Sequence, residues 1–562
     1  MEQQIKLEKT NILNLVNSPK DLKLLNRKKL KILAQEIRQK ILDVVSKNGG
    51  HLGGPLGAVE LTIAVHYSFD APNDKIIIDT GHQSYPHKLI TGRRNKFHTL
   101  RQYKGICGFC NIFESEYDVF GAGHASTSIS AALGIAKARD FKDEKNKVVV
   151  IVGDGALTAG LAFEGLNNAG ASQTDILIIL NDNRMSISPN VGAISNYLNK
   201  VVLRSGYFKL RKRARNLLEK IPGIGQEEIY KVFKAEEKLR ILASEGNFFE
   251  SLGFQYFGPI DGHNFDELIP ALENIKDLKG PVLLHVKTEK GKGYAFAEKD
   301  IDKFHGMSPF DIINGQKYVT TTNVTYTDAF ANALIRIAEE DEKIVAITAA
   351  MKAGTGLSKF EKHFPDRTFD VGIAEQHAVT FAAGLAIAGM KPVCAIYSTF
   401  LQRAYDQIIH DVCLQNLGVI FALDRAGLVG DDGPTHNGPF DIAYFRAIPN
   451  ITIMVPKDEK ELQHMLYTAT FIKGPSAIRY PRGSGIGVGL DAEFRKLKVG
   501  KGEILKQGND LLIMGVGPIL YDAIHAVDEL KVNATIINAR FVKPLDEELI
   551  TNNAKKIKDI IT

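Results

Sequence analysis

Apolar positions at Leu30, Leu33, Ile37, Ile41 and Val44 recur at steps of three and four, the period of a helix with one buried face, until Gly49-Gly50 stops it. His51 therefore falls on a glycine-rich loop. Farther along, the pattern changes to short unbroken apolar runs: 147–152 (KVVVIV) and 175–180 (DILIIL) predict buried strands, and 158–170 between them predicts a helix. Strand, helix and strand in that order form a βαβ unit, so the sheet is expected to be parallel and covered by helices. From 195 to about 246 the pattern degrades into basic, helix-prone sequence such as FKLRKRARNLLEK, expected to be a mobile insertion with a solvated surface helix.

Beyond the polar stretch YVTTTNVTYTDAF the strand-like runs resume at 344–348, 369–374, 393–398, 419–424, 451–456 and 476–481, most of them separated by helical stretches. A third set opens after Gly500, with 511–517 (LLIMGVG) and 534–541 (ATIINARF), and IKDIIT reads as the start of one more strand. The expected architecture is three consecutive parallel-sheet α/β domains over 1–318, 319–494 and 495–562, with the third incomplete at its carboxyl end.

At 562 residues the chain is too long for one core, which agrees with several domains. The 70 basic and 65 acidic groups nearly cancel, leaving a charge of +5, so nucleic acid is not an expected partner and an anionic substrate must be caught locally. There is no apolar run of membrane-spanning length, and the opening MEQQIKLEKT lacks a secretory apolar segment; the expected location is the cytoplasm. Cys107 and Cys110 have no second pair to complete a zinc site and are read as structural.

Two tripeptides carry the sharpest chemistry. Gly153-Asp154-Gly155 follows one buried strand and Asn181-Asp182-Asn183 the next, and in a parallel sheet both face the crevice beyond the strand ends. The glycines admit a phosphate close to the backbone, while Asp154 and the amide oxygen of Asn183 are hard donors suited to Mg²⁺. A Gly-Asp-Gly by itself is more often a turn; the pair at this spacing is specific. Glu375 opens a helix, where a carboxylate ordinarily just satisfies the dipole. His51, His82, His124, His305 and His436 lie in glycine-bracketed loops, where imidazole can move protons near neutral pH or merely satisfy local hydrogen bonds. Tyr397, Arg403, Arg425 and Arg482 lie at or after strand ends; arginine forks match phosphate oxygens, although loop arginines also pair with surface carboxylates.

These residues occur in GHQSYPHKLITGRR, ESEYDVFGAGHASTSIS, IAEQHAV, YSTFLQRAYDQ and RFVKPLDE, and on those motifs the chain resembles the 1-deoxy-D-xylulose-5-phosphate synthases, transketolase-like thiamine-diphosphate enzymes. The resemblance runs from the LLNRKKLKILAQEIRQKI helix to the last residue. It implies Mg²⁺ held by Asp154, Asn183 and the main-chain carbonyl of Met185, with Gly155 and Ala156 touching the diphosphate. His82, Gly123, His124, Ala125, Lys290 and Tyr294 would line the cofactor. Glu375 would stabilise the aminopyrimidine tautomer that takes the thiazolium proton, with Phe400 stacked on that ring. His51 and His305 would serve proton transfer, Asp432 and His436 a substrate hydroxyl, and Tyr397, Arg403, Arg425 and Arg482 the substrates. The implied reaction decarboxylates pyruvate and joins the remaining two-carbon unit to D-glyceraldehyde 3-phosphate, in a homodimer, as the first step toward isoprenoid precursors. Cys110 departs from the proline usual at that place in the family. Alternatives are a transketolase, a pyruvate dehydrogenase decarboxylating component, or a non-catalytic cofactor-binding remnant.

Overall fold

The structure is a computed structural model and describes residues 11–185, 192, 193, 197, 248–318, 323–430 and 432–562. Apart from Tyr197, the expected insertion at 195–246 lies outside the described residues. The chain falls into two compact units, Met1–Tyr318 and Val319–Thr562.

The first unit begins with helix α1 (Arg27–Asn48), capped by the Asn26 side chain, which accepts from the N–H of Lys29. Leu30, Leu33, Ile37, Ile41 and Val44 are all buried, as their spacing predicts, and Gly49 at φ +73° ends the helix. Burying each such side chain contributes about 1.5–3 kcal/mol. The strands are β1 (Gly50–His51), β2 (Lys75–Ile78), β3 (Val148–Gly153), β4 (Ile176–Asp182), β5 (Gln255–Asp261), β6 (Pro281–Lys287) and β7 (Gly306–Met307). Five of them form a parallel sheet in the order β2-β3-β4-β6-β5. Its centre is apolar on both faces because helices cover both, which is why KVVVIV and DILIIL read as unbroken runs.

One expectation is corrected here. His51 is not in a loop: β1 pairs antiparallel with β7, His51 opposite Gly306, and the His51 N–H donates to the Tyr85 hydroxyl at 3.2 Å. The helix expected at 158–170 is present over Gly160–Ser172, preceded by a short turn at Ala156–Thr158.

The second unit holds β8 (Ile344–Thr348), β9 (Thr368–Asp370), β10 (Lys391–Tyr397), β11 (Ile420–Asp424), β12 (Thr452–Met454), β13 (Ser476–Arg479), β14 (Glu503–Lys506), β15 (Leu511–Gly515), β16 (Ala534–Asn538), β17 (Phe541–Lys543) and β18 (Ile560–Ile561). One sheet runs β17-β12-β13-β11-β10-β8-β9, parallel except at β17, and a second runs β14-β16-β15-β18. The run ATIINARF is thus two strands in two sheets. Arg540 breaks it with a left-handed φ of +60°, its guanidinium spanning Glu461 and Glu503 at 2.7 Å each. The strand expected over 369–374 stops at Asp370; the chain turns through Gly372 at φ +75° and enters a helix over Glu375–Ile387.

Candidate active site

In the first unit, sheet register sets the two tripeptides side by side. Gly153 pairs with Asn181, and the Asp154 N–H reaches the Asn181 carbonyl at 3.3 Å. Asp154 is only 2% exposed, and its Oδ1 accepts the Gly155 N–H at 3.0 Å. Across from it the Asp182 and Asn183 side chains accept the N–H groups of Arg184 and Met185, each at 3.1 Å, which shapes the turn after β4. Burial, then the neighbouring Asp182 charge, pushes the Asp154 carboxyl well above the usual carboxylate range. Burial acts most strongly on Asp182 too, but the hydrogen bond and charge of His285, with the bonds from Asp154 and the Arg184 N–H, together outweigh it and hold that carboxyl down. Two carboxyls in contact in a buried place, beside amide and carbonyl oxygens, are a donor set that a divalent cation fits.

Lys290 is buried in the same cluster. Burial lowers its ammonium to about 8, against the opposing charges of Asp154 and Asp302. A buried cation beside a glycine-lined turn suits a diphosphate.

Three imidazoles complete the cluster. The rings of His51, His82 and His305 form a triangle with each pair of centroids 5.5 Å apart, and Phe109 meets His51 edge-on at 5.4 Å. The β1–β7 ladder is what brings His305 to His51. Burial drives His82 and His305 well below the usual imidazole range, with the charges of His51 and Lys290 acting in the same direction, so both are neutral at pH 7. Neither Nδ1 atom has a hydrogen-bond partner among the described residues. A Cβ on Gly54 would stand 3.0 Å from the His82 ring, so a side chain there would push the imidazole aside.

The loop bearing Gly123, His124 and Ala125 is clipped into place by Asp79. Its carboxylate accepts the N–H of Ser126 at 2.8 Å and the Ser128 hydroxyl at 2.5 Å, while the Ser126 hydroxyl donates to the Ala156 carbonyl at 2.6 Å. Tyr294 is placed differently from the other expected cofactor residues. Its hydroxyl donates to the Ile312 carbonyl at 2.9 Å, and its ring packs among Phe296, Phe304 and Phe310.

In the second unit, Glu375 is the first residue of its helix and is 3% exposed. Burial raises its pKa in spite of Arg403, whose Nη1 stands 3.8 Å from Oε2. Arg403 is therefore drawn to Glu375. Tyr397 and Phe400 stack at 5.6 Å and 14°, and His436 meets Phe400 edge-on at 5.4 Å. The Arg425 guanidinium lies 4.1 Å over the Tyr397 ring, donates to the Gly354 carbonyl at 2.6 Å and pairs with Asp424 at 2.8 Å. Burial pushes the Tyr397 hydroxyl up to about 12; the charges of Arg425, Arg482 and Asp432 also bear on it, which places all three near that ring. A Cβ on Gly354 would fall 2.0 Å from the Tyr397 hydroxyl, so only glycine leaves room for it.

Residues 13–288 match the family described as 1-deoxy-D-xylulose-5-phosphate synthase, 322–486 the transketolase pyrimidine binding domain and 500–562 the transketolase C-terminal domain. The 1-deoxy-D-xylulose-5-phosphate synthase of Halothermothrix orenii is 55% identical over 555 residues, which are 98% of this chain and 87% of that one. The chain belongs to the 1-deoxy-D-xylulose-5-phosphate synthase family. The relative of the same name from Syntrophus aciditrophicus is 55% identical over 98% of this chain and 86% of its own. A solved transketolase from Campylobacter jejuni matches 95% of this chain and 92% of its own at 19% identity, with a TM-score of 0.38.

For a member of this family, several site-building residues escaped the sequence reading. Asp79, Phe109, His263 and His285 lie outside the motifs that were given a role, and Gln83 and Asn181, although inside such motifs, were given none of their own. Asn181 links the Thr288 hydroxyl, at 2.6 Å, to the Gln83 amide, at 2.8 Å, beside His82. A signal was available for some of them: polar residues closing otherwise apolar strands, as Asn181 and Asp182 do in β4, are costly to bury without a partner.

Proposed function

We propose that this chain is a thiamine-diphosphate-dependent transferase that joins pyruvate to D-glyceraldehyde 3-phosphate with loss of carbon dioxide, giving 1-deoxy-D-xylulose 5-phosphate for isoprenoid precursor synthesis. The observation that carries this reading is the cluster at the carboxyl ends of β3 and β4: adjacent Gly-Asp-Gly and Asn-Asp-Asn turns, a buried lysine and three imidazoles, in a chain of this family.

Bound thiamine diphosphate supplies the electron sink for decarboxylation. Asp154, Asn183 and the Met185 carbonyl would hold Mg²⁺ against its diphosphate, with Gly155, Ala156 and Lys290 beside it and Gly123, His124 and Ala125 on the loop clipped by Asp79. Glu375, kept proton-avid by burial, would hold a proton against the cofactor's pyrimidine, and Phe400 would offer that ring a stacking face. Neutral His82 and His305, with His51, pass protons at the substrate oxygens. Arg482 and Arg425 bind the aldehyde's phosphate, while Asp432 and His436 bind its hydroxyl; Tyr397 stands between the two sets. Arg403, given its place 3.8 Å from Glu375, tunes that carboxyl. The domains divide at 318/319 and 494/495, and the enzyme works as a homodimer.

The test supplies pyruvate, glyceraldehyde 3-phosphate, thiamine diphosphate and Mg²⁺ to the purified protein and follows the product by NMR. Deoxyxylulose phosphate and carbon dioxide in equal amounts support the reading. Transfer of a ketol unit from xylulose 5-phosphate, with no use of pyruvate, would overturn it.

A further inference from the structure

Behind the turn after β4 runs a buried line of hydrogen bonds that the proposed chemistry does not use. The Asp182 Oδ2 atom lies 2.8 Å from Nε2 of His285, and Nδ1 of the same ring lies 2.7 Å from the Tyr256 hydroxyl. His285 is fully buried in β6, and the Tyr256 ring lies parallel to that of Phe249, 5.9 Å away.

The chemistry of these atoms sets the direction of the line. An ionised carboxylate can only accept, so Nε2 carries the hydrogen that reaches Asp182. The remaining ring nitrogen, Nδ1, is bonded to the Tyr256 hydroxyl, which keeps its proton because burial pushes it up. The other carboxylate oxygen, Oδ1, accepts the Arg184 N–H, in the turn that presents Asn183 and the Met185 carbonyl. Asp182 also touches Asp154. With Oδ2 occupied by His285 and Oδ1 by Arg184, the carboxylate is held to one orientation.

We propose that His285 and Tyr256 are positioning residues that orient Asp182, and through it the Asn183–Met185 turn, for binding the divalent cation. This rests on the cation site assigned under Proposed function. Outer partners of this kind set metal affinity by about 10- to 100-fold.

Mn²⁺, counted free in solution by EPR, is titrated into the whole protein with saturating thiamine diphosphate. His285→Leu is expected to weaken Mn²⁺ by about 10- to 100-fold. In His285→Gln the terminal amide lies about as far out as Nε2 and restores the donor, so affinity is expected to return to within about threefold of wild type. Tyr256→Phe, which removes one hydrogen bond, is expected to cost about 2- to 10-fold. The proposal is overturned if His285→Gln is as weak as His285→Leu, since packing alone would then explain the loss, or if His285→Leu binds as wild type does. Should His285→Leu not fold, Tyr256→Phe decides, and unchanged affinity overturns the proposal. Asp154→Ala separates the two readings: wild-type affinity in that variant means the cation site is misplaced, whereas loss there with no effect at His285 rejects the relay alone.

Discussion

The Nε2 atom of His263 accepts the backbone N–H of Glu289 at 2.9 Å, and the next residue is Lys290. The other ring nitrogen, Nδ1, lies 2.9 Å from Oε2 of Glu60, so one imidazole fixes the backbone immediately before the buried lysine. A second hydrogen bond, from the Gly291 N–H to the Gly53 carbonyl at 2.8 Å, holds the far side of Lys290. Replacing His263 by alanine is expected to raise the Kd for thiamine diphosphate by about 3- to 10-fold, the worth of one buried hydrogen bond. The KM for pyruvate at saturating cofactor should not move. Fluorescence quenching on cofactor titration measures the first quantity, and equal changes in both would show a general loss of the fold.

Glu60 gives a pH prediction. Burial alone would raise its carboxyl, but hydrogen bonds from His263 and Arg38 outweigh burial and hold it at about 2, against the usual 4.5. The folded pKa is depressed, so the stabilisation is complete above pH 4.5 and is lost as pH falls from 4.5 toward 2. The whole effect is about 3 kcal/mol, of which about 2 kcal/mol is gone at pH 3. Denaturant unfolding of the wild type and Glu60→Gln should therefore show the wild-type advantage shrinking by that amount between pH 6 and pH 3. A constant gap would mean the carboxyl titrates normally.

Glu375→Gln removes the proton-trading group and preserves its volume. The variant should bind thiamine diphosphate within about threefold of wild type yet exchange the hydrogen at the cofactor's reactive carbon about 10²- to 10⁴-fold more slowly. Quenched-flow NMR of that hydrogen in deuterium oxide is the measurement. Exchange at the wild-type rate would remove Glu375 from the mechanism.

Arg482 and Arg425 should behave differently although both are assigned to phosphate. Arg425 already donates to the Gly354 carbonyl, pairs with Asp424 and covers the Tyr397 ring, so Arg425→Ala is expected to lower the melting temperature by a few degrees as well as weaken the acceptor. Arg482 is exposed, and Arg482→Ala should leave melting unchanged while the KM for glyceraldehyde 3-phosphate rises about 10- to 100-fold. The KM for pyruvate should barely change in either. A melting shift at Arg482 with no KM effect would make it structural.

Much of the scaffold was legible without coordinates because its signals are local. The period of Leu30 to Val44 marks a helix's buried face, and KVVVIV and DILIIL mark strands covered on both sides, whatever lies elsewhere in the chain. The two tripeptides were legible for a related reason: a residue directly after a buried parallel strand emerges at the ligand-facing edge. What the tertiary structure alone decided is which polar groups meet. His263 reaches Glu60 across 203 positions, His285 reaches Asp182 across 103, and Asn181 reaches Gln83 across 98. The split of ATIINARF between two sheets likewise depends on Glu461 and Glu503 drawing Arg540 aside. Apolar burial is nondirectional and repeats with the backbone period, so it leaves a pattern along the chain. A buried hydrogen bond requires one donor to meet one acceptor within about 3 Å, and that match is made only when distant segments pack.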